Sequence, residues 1–188
     1  RKESQKILSL WVKIIIACIP AAVIGLPLDD ILDEYLSTPT VIAAMLILYG
    51  ILFIVLEAHN KKKNFDITST SRLDYKTAVL IGLFQCLSLI PGTSRSGSTI
   101  LGAMILGCSR PVAAEFSFYL GIPVMFGAGF IKIVKHGLGF TGTQVFILLF
   151  AMLVAFLVAM YTIKFLMKYI RKHDFTLFGY YRIVLGII

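Results

Sequence analysis

Long apolar blocks limit what this chain can fold into. Several of them approach the ~20 residues that an α-helix needs to cross a bilayer, and they recur from one end of the sequence to the other. Hydrophobic residues make up 58% of the 188 residues and charged residues only 15%, which is less charge than a soluble domain of this length normally has. We therefore predict an all-α integral membrane protein, a polytopic helix bundle that forms a single domain over residues 1–188.

The apolar pattern predicts five membrane-spanning segments, at residues 8–28, 38–56, 116–131 and 145–163, with the fifth starting at 175–188. Pro20 and Gly25 predict a kink in the first of these helices, and Pro123 predicts an interruption in the third. The acidic residues at 29–34 predict a turn after the first helix. We interpret the polar stretch at 59–72 as a plain connector.

The positive charge gathers in three tracts beside the apolar blocks. The net charge is +8, and the tracts are Arg1, Lys2 and Lys6; Lys61, Lys62 and Lys63; and Lys168, Arg171, Lys172 and His173. Basic residues favour the cytoplasmic side of membrane loops, so we place these tracts there and the acidic residues at 29–34 on the opposite side. Lys132 and Lys135 do not fit this assignment. Because the charge is not spread over a folded surface, we predict no nucleic-acid partner.

Two apolar segments, at 78–90 and 100–107, are too short to cross a bilayer. A run rich in glycine, serine and threonine, at 91–99, separates them. A short helix, a loop and a second short helix predict a re-entrant hairpin over residues 75–108, which enters the bilayer and returns to the same side. Its irregular tip is tolerated at that depth only where protein buries it or where it lines a wet cavity.

The tip sequence PGTSRSGST contains an arginine, Arg95, in apolar surroundings. An ionised side chain there costs ~2.5–3.5 kcal/mol on insertion scales, and a guanidinium pairs well with phosphate or carboxylate. Its neighbours suit the same anion: five hydroxyls (Thr93, Ser94, Ser96, Ser98 and Thr99) and two glycines that allow close backbone approach (Gly92 and Gly97). The N-terminus of the next helix adds N–H donors. These residues predict an oxyanion-binding site.

Alternatives stay open for these residues. Glycine and serine also pack helices closely in membranes, and Arg95 has a purely structural role if it pairs with Glu115. An ion pair with Arg110 or Arg95 is the favoured interpretation of Glu115, ahead of a metal or proton site. Gln85, on the first arm of the hairpin, is suited either to hydrogen-bond into the site or to pack helices.

The sequence contains only half of a hydrolytic site. It has no CxxC, HExxH, P-loop or GxSxG motif, and no acid–base pair lies near the tip in the sequence. Hydrolysis needs a nucleophile and a proton-transfer group, and a hydroxyl such as that of Ser94 is a weak nucleophile without a base. We identify no metal ligands in this sequence.

The tip sequence also has a family resemblance. PGTSRSGST, with FQCLSLIP at 84–91 and SRPVAAEFSF at 109–118, closely resembles the undecaprenyl-diphosphate phosphatase family, also called the bacitracin-resistance family. The resemblance implies inverted repeats whose re-entrant hairpins meet inside the membrane, and this chain would hold one repeat and a half. It also implies removal of the terminal phosphate of undecaprenyl diphosphate, which recycles the lipid carrier for peptidoglycan synthesis and gives bacitracin resistance.

The resemblance implies roles for individual residues as well. Arg95 would hold the diphosphate, and Ser94 and Thr99 would donate hydrogen bonds to its oxygens. A divalent cation, Mg²⁺ or Ca²⁺, is the implied cofactor. The implied partner is a polyprenyl diphosphate lipid in the plasma membrane of a bacterial cell. No oligomeric state is predicted.

One motif of that family is missing. Nothing here matches the pair of Glu followed by Ser-Ser and His in the family's N-terminal repeat. We expect this chain to be a piece of a longer enzyme whose N-terminal repeat supplies the general base and the metal ligands, and we expect the chain alone to be inactive. Two other functions are weighed: a transporter or scramblase of an anionic lipid, which also uses broken helices and inverted repeats, and a membrane scaffold.

Overall fold

The computed structural model describes residues 2–61, 64–137 and 139–188, which form seven α-helices and no β-strand. The helices are α1 (Lys2–Leu36), α2 (Pro39–Asn60), α3 (Tyr75–Cys86), α4 (Arg95–Ile105), α5 (Arg110–His136), α6 (Gly142–Ile170) and α7 (Thr176–Ile187). The predicted all-α class is confirmed. Of the predicted charge tracts, Arg1, Lys62 and Lys63, and the side chains of Lys2, Asp29, Asp30 and Asp33, lie outside the described residues.

Four helices are long and apolar enough to cross a membrane: α1, α2, α5 and α6. The fifth predicted span corresponds to α7, which has 12 residues. At 1.5 Å per residue that helix covers about 18 Å, whereas the hydrocarbon core of a bilayer is about 30 Å thick. Within the described residues four helices therefore have the length of a full span, and α7 lies where the fifth predicted span starts.

Two predicted breaks are not present, because the helices continue through them. α1 includes Pro20, Pro27 and the acidic residues at 29–34, so the predicted acidic turn is wrong. α5 likewise continues through Pro123. The turn comes later, at Thr38, because a residue before proline avoids helical dihedral angles. Thr38 then caps α2, and its hydroxyl accepts from the Val41 N–H at 3.3 Å.

Helices α2 and α7 pack backbone against backbone through glycines. A Cβ atom added to Gly50 would lie 2.7 Å from the Gly179 carbonyl oxygen, and one added to Gly179 would lie 2.7 Å from that of Gly50. Small residues of this kind allow close helix contact in membranes, where apolar burial alone gives little preference between protein and lipid. The contact fixes α7 beside α2.

The loop between α2 and α3 does more than connect them. The Ile67 N–H donates to the Gly107 carbonyl oxygen at 3.1 Å, and the Ser109 N–H donates to that of Ile67 at 2.9 Å. These bonds join the end of α4 to the segment that precedes α3, so both ends of the α3–α4 hairpin lie at the same side. The interpretation of this loop as a plain connector is wrong. The re-entry of the hairpin into a bilayer stays a prediction.

The core surrounds the hairpin. The largest fully buried apolar side chains come from α1, the loop before α3, and helices α3, α4 and α5: Ile14, Leu73, Ile81, Met104, Phe116 and Leu120. Helix α6 differs, since no residue in its most apolar stretch is buried. The hairpin is therefore held by protein on several sides, whereas α6 presents its apolar side chains outwards.

Candidate functional site

The tip of the hairpin is a compact turn between α3 and α4. A single 3-10 turn, Leu87–Leu89, follows α3. The Thr93 N–H then donates to the Ile90 carbonyl oxygen at 3.3 Å. The Thr93 hydroxyl donates to the carbonyl oxygens of Leu87 and Ile90, at 3.0 and 2.7 Å. Thr93 is fully buried, so its hydroxyl stabilises the turn.

Two residues of the tip have positive φ angles. Gly92 has φ 91°, and a Cβ atom there would lie 2.6 Å from the Ile42 carbonyl oxygen, so glycine is required both by conformation and by contact with α2. Ser94 has φ 68°, which is unusual for a residue with a side chain. Ser94 is also the N-cap of α4, and its Oγ accepts from the Gly97 N–H at 3.3 Å. This backbone leaves Ser94 exposed at the start of α4.

Arg95 occupies the first position of α4 and reaches towards α5. Its Nη1 donates to the Ser117 carbonyl oxygen at 3.1 Å. Gly121 provides the space, because a Cβ atom there would lie 2.6 Å from Nη2. Nε is buried without a hydrogen-bond partner among the described residues. Since a guanidinium has five N–H donors, the half-buried Arg95 keeps hydrogen-bonding capacity for another acceptor.

A second arginine, Arg182 of α7, holds the tip from the other side. Its Nη2 donates to the carbonyl oxygens of Gly92 and Thr93, at 2.7 and 3.1 Å. The guanidinium also lies over the Tyr49 ring, 5.8 Å from the ring centroid, a cation–π arrangement. Tyr49 in turn accepts a hydrogen bond from the Ser98 hydroxyl at 3.1 Å. Arg182 therefore connects α7, α2 and the tip.

The tip hydroxyls divide into inward and outward groups. Ser98 and Thr99 are buried, and the Thr99 hydroxyl lies 2.6 Å from that of Ser117. Ser94 is exposed and Ser96 is half-buried, and their hydroxyls are 3.4 Å apart. Gly97 is buried against the cap. In this arrangement Ser94, Ser96 and Arg95 are the predicted side chains best placed to meet a ligand from outside.

The predicted supporting residues form no hydrogen bond with the tip residues at 91–99 among the described contacts. Arg110 pairs with Glu57, a buried residue near the end of α2; its Nε donates to both carboxylate oxygens at 2.9 Å. Glu115 is half-buried, and among the described side chains it forms no ion pair with Arg110 or Arg95, so the predicted pairing is wrong. Gln85 is buried, and its amide has no hydrogen-bond partner in the described structure.

The charge balance at the tip is positive. Within the part of the chain that the structure describes, neither Arg95 nor Arg182 forms an ion pair with a carboxylate. Their partners are neutral carbonyl oxygens and an aromatic ring. The N-terminus of α4 adds a positive partial charge at the same place. The described residues also contain no group of three or more His, Cys, Asp and Glu side chains that could hold a metal ion. The tip is therefore suited to an anion and lacks the ligands of a cation site.

Comparison with known proteins places the chain in a family. The family model of the bacitracin resistance protein BacA matches residues 1–188. The chain belongs to the BacA family. It is thus a BacA-family chain with four helices long and apolar enough to span a membrane, which makes it a multi-pass, all-α membrane protein.

Curated relatives of this BacA-family chain share more than half of its residues. A protein of Enterococcus faecalis is 53% identical over 193 residues, which cover 100% of this chain and 70% of the relative. One of Acetivibrio thermocellus is 57% identical, over 96% of this chain and 66% of the relative. Both relatives are named undecaprenyl-diphosphatase. The chain spans about two thirds of the length of the curated relatives it matches.

Several residues around the tip were not predicted. Arg182, like Arg95, is an arginine within an apolar stretch. The sequence was therefore sufficient to propose Arg182 as a site residue. Tyr49, Ser117 and Gly121 lie in apolar helices where nothing in the sequence relates them to the tip. Their roles depend on how α2 and α5 pack against the hairpin of this BacA-family chain.

Proposed function

We propose that this chain is the phosphate-binding part of an enzyme that removes the terminal phosphate of undecaprenyl diphosphate and leaves undecaprenyl phosphate. One observation supports this above the others: Arg95 is half-buried, has an unpartnered buried Nε and has no carboxylate partner among the described residues. The relatives named undecaprenyl-diphosphatase are 53–57% identical. A lipid carrier freed in this way would be reused in peptidoglycan synthesis and would confer bacitracin resistance.

The chemistry proposed for the tip is charge stabilisation. A diphosphate carries several negative charges, and its transfer depends mainly on positioning and on electrostatic stabilisation. Arg95 presents N–H donors to the phosphate oxygens, and the first turn of α4 presents backbone N–H groups beside them. The exposed Ser94 hydroxyl at the N-cap adds a donor at the same edge. Ser96 is the next hydroxyl in reach of this edge.

The buried residues of the predicted site are proposed to position the tip. Thr99 bonds to the carbonyl oxygens of Arg95 and Ser96, at 3.0 and 3.2 Å, so it orients the first turn of α4. A direct bond from Thr99 to the lipid, as the family resemblance implies, would require the hydroxyl to leave Ser117. Gly92 and Gly97 are proposed to allow the close backbone approach that the turn needs.

A general base and a divalent cation, Mg²⁺ or Ca²⁺, are proposed to be held by an N-terminal repeat beyond the part of the relatives that this chain matches. The described residues here do not fit a cation, because no cluster of metal-ligating side chains occurs among them. We also propose that the chain lies in the plasma membrane. The C-terminal ends of α2 and α6, next to the basic tracts in the sequence, would then be on the cytoplasmic side.

The test uses the full-length protein with Arg95→Ala and Arg95→Lys. We expect Arg95→Ala to lower phosphate release from undecaprenyl diphosphate by about 100- to 1,000-fold, the range for loss of one preorganised donor at a developing negative charge. Arg95→Lys keeps the charge and loses the forked geometry, so an intermediate loss is expected.

Arg72→Ala serves as the matched control, because Arg72 is exposed in the loop before α3. Near-normal turnover by a folded Arg95→Ala protein would reject the proposed role. Movement of labelled lipid across vesicles without phosphate release would instead support the transporter or scramblase alternative.

A further inference from the structure

An open cavity of ≈ 290 Å³, lined by polar residues, lies on the side of the molecule where α1 begins, and the proposed function does not use it. It is formed by the first half of α1 and the 3-10 turn Thr70–Arg72, and it is lined by Gln5, Lys6, Ser9, Lys13 and Ser71. The turn Thr70–Arg72 precedes α3, so this cavity lies at the base of the hairpin, whereas Arg95 is at its tip. It is a separate candidate site.

The lining residues of α1 share one helix face. Ser9 follows Gln5 by four residues and Lys13 follows Ser9 by four, the spacing that aligns side chains along a helix. Lys6 lies next to Gln5 and also lines the cavity. Both lysines therefore line one cavity together with hydroxyl and amide groups, and like charges that share a site repel unless an anion separates them.

Lys13 is the unusual member, because it is buried. Its exposure is only 6%, and it lies within the apolar part of α1 that is long enough to span a membrane. Lysine is almost never this buried unless it is paired. Among the described side chains it has no carboxylate partner; its ammonium lies over the Tyr75 ring, with Nζ 5.4 Å from the centroid. A ring attracts an ammonium but accepts no ordinary hydrogen bond from it.

The remaining groups supply donors of the type that phosphate needs. The Ser9 hydroxyl lies 3.5 Å from that of Tyr75, and the Ser71 hydroxyl lies 2.8 Å from that of Ser69. A hydroxyl can rotate its proton towards an added acceptor. Two ammonium groups, two hydroxyls and an amide, with no carboxylate among the described lining residues, form a donor set for an oxyanion. A metal cation would find no anionic ligand among these described residues.

We infer that this cavity binds a phosphate-bearing anion between Lys6 and Lys13. Two sources have this chemistry: the headgroup of an acidic phospholipid and free inorganic phosphate. The position of Lys13 within an apolar helix, beside exposed basic residues, matches basic sites at membrane surfaces that hold anionic headgroups. The inference does not depend on the proposed hydrolysis, since the tip and this cavity have no residue in common.

The experiment measures binding to the full-length protein in neutral detergent, in an Arg95→Ala background that removes the tip as a phosphate site. Three ligands are titrated by calorimetry: inorganic phosphate, dioctanoyl phosphatidylglycerol and, as the lipid without net charge, dioctanoyl phosphatidylcholine. We expect saturable binding of phosphatidylglycerol or phosphate, and a Kd about tenfold higher in Lys13→Met, because a charge-assisted hydrogen bond is lost.

Lys168→Met is the matched control, because Lys168 is an exposed lysine of the basic tract at the end of α6. Binding of phosphatidylglycerol alone would identify the lipid headgroup, and binding of phosphate with similar affinity would identify the soluble anion. If Lys13→Met does not fold, Lys6→Gln and Ser71→Ala replace it, since both residues are exposed. Absence of binding, or an equal loss in Lys168→Met, would overturn the inference.

Discussion

The two ends of the α3–α4 hairpin give their arginines different partners. At the base, Arg110 is paired with Glu57, whose carboxylate also accepts from the Phe175 N–H at 3.0 Å. At the tip, Arg95 and Arg182 have carbonyl oxygens and an aromatic ring as partners, and no carboxylate among the described residues. Arg110 at the base therefore has a counter-charge, whereas the two tip arginines have none among the described residues.

This difference separates a structural ion pair from a binding site. Glu57 joins the end of α2 to the first residue of α5 and to the residue before α7, so its charge holds three helix ends together. The tip arginines hold the turn in place but have no anion. An arginine in apolar surroundings is therefore not a functional signal by itself, and the presence or absence of a carboxylate partner distinguishes the two roles.

The largest effect on stability is expected from breaking the ion pair at the base. Glu57→Ala leaves Arg110 and the Phe175 N–H without their acceptor, and should destabilise the protein by about 3 kcal/mol, the lower end of the range for buried pairs because Arg110 is partly exposed. Reversible unfolding in mixed micelles measures this. Glu34→Ala, at an exposed position of α1, should stay within ~0.5 kcal/mol of the parent. Equal stability of the two variants would remove the contrast between base and tip.

The next effect concerns the arginine that holds the tip. Arg182→Gln loses charge-assisted bonds to the carbonyl oxygens of Gly92 and Thr93, each of a type worth about 1.5–3 kcal/mol. We expect kcat for undecaprenyl diphosphate to fall more than KM rises, because the tip loses its position while Arg95 remains. Arg182→Lys should recover part of the loss. An unchanged kcat in folded Arg182→Gln would show that the tip keeps its shape without α7.

A smaller effect is expected from filling the space beside Arg95. Gly121→Ala places a Cβ atom 2.6 Å from Nη2, so the flexible side chain must move, at a cost of about 1–3 kcal/mol. Phosphate release should fall while the protein stays folded. Gly127→Ala, in the same helix with nothing within 4 Å of the added Cβ, should keep normal activity. Loss of activity in both variants would assign the effect to α5 rather than to Arg95.

The smallest effect on stability is expected from Asp74, whose carboxylate caps α3 at the base of the hairpin. Hydrogen bonds from the Thr77 hydroxyl and N–H lower the pKa of Asp74 below its ordinary value of 3.8. A lowered pKa means that Asp74 stabilises the fold when ionised, and this contribution is lost as pH falls through the folded-state pKa. Asp74→Asn should therefore be closer to the parent in melting temperature at low pH than at neutral pH. A constant difference between the two proteins would contradict this account.

Much of the fold was predictable from the sequence, because bilayer thickness sets the length of an apolar helix. The four long spans and the short arms on either side of the tip follow from that relation. The acidic residues at 29–34 and Pro123 misled the prediction, since α1 and α5 continue through them and neither charge nor proline alone ends a helix.

The sequence predicted which consecutive residues form the tip, but not which distant residues contact them. PGTSRSGST identified the tip, because an arginine among glycines and hydroxyls in an apolar stretch is costly unless an anion meets it. The partners of those residues come from α2, α5 and α7, at sequence separations of 49 residues for Tyr49 and Ser98 and 90 for Arg182 and Gly92. The Glu115 pairing was wrong for the same reason: the nearest carboxylate in sequence was not the one that packing placed beside Arg110.

The backbone at Ser94 restricts which hydroxyl residue the tip can use. With φ at 68°, a second heavy substituent on Cβ would crowd the main chain, so threonine is disfavoured there although it has the same functional group. Only an unbranched alcohol combines the cap with this dihedral angle. A search for distant homologues can therefore treat threonine, valine or isoleucine at this position as a sign that the turn has been rebuilt.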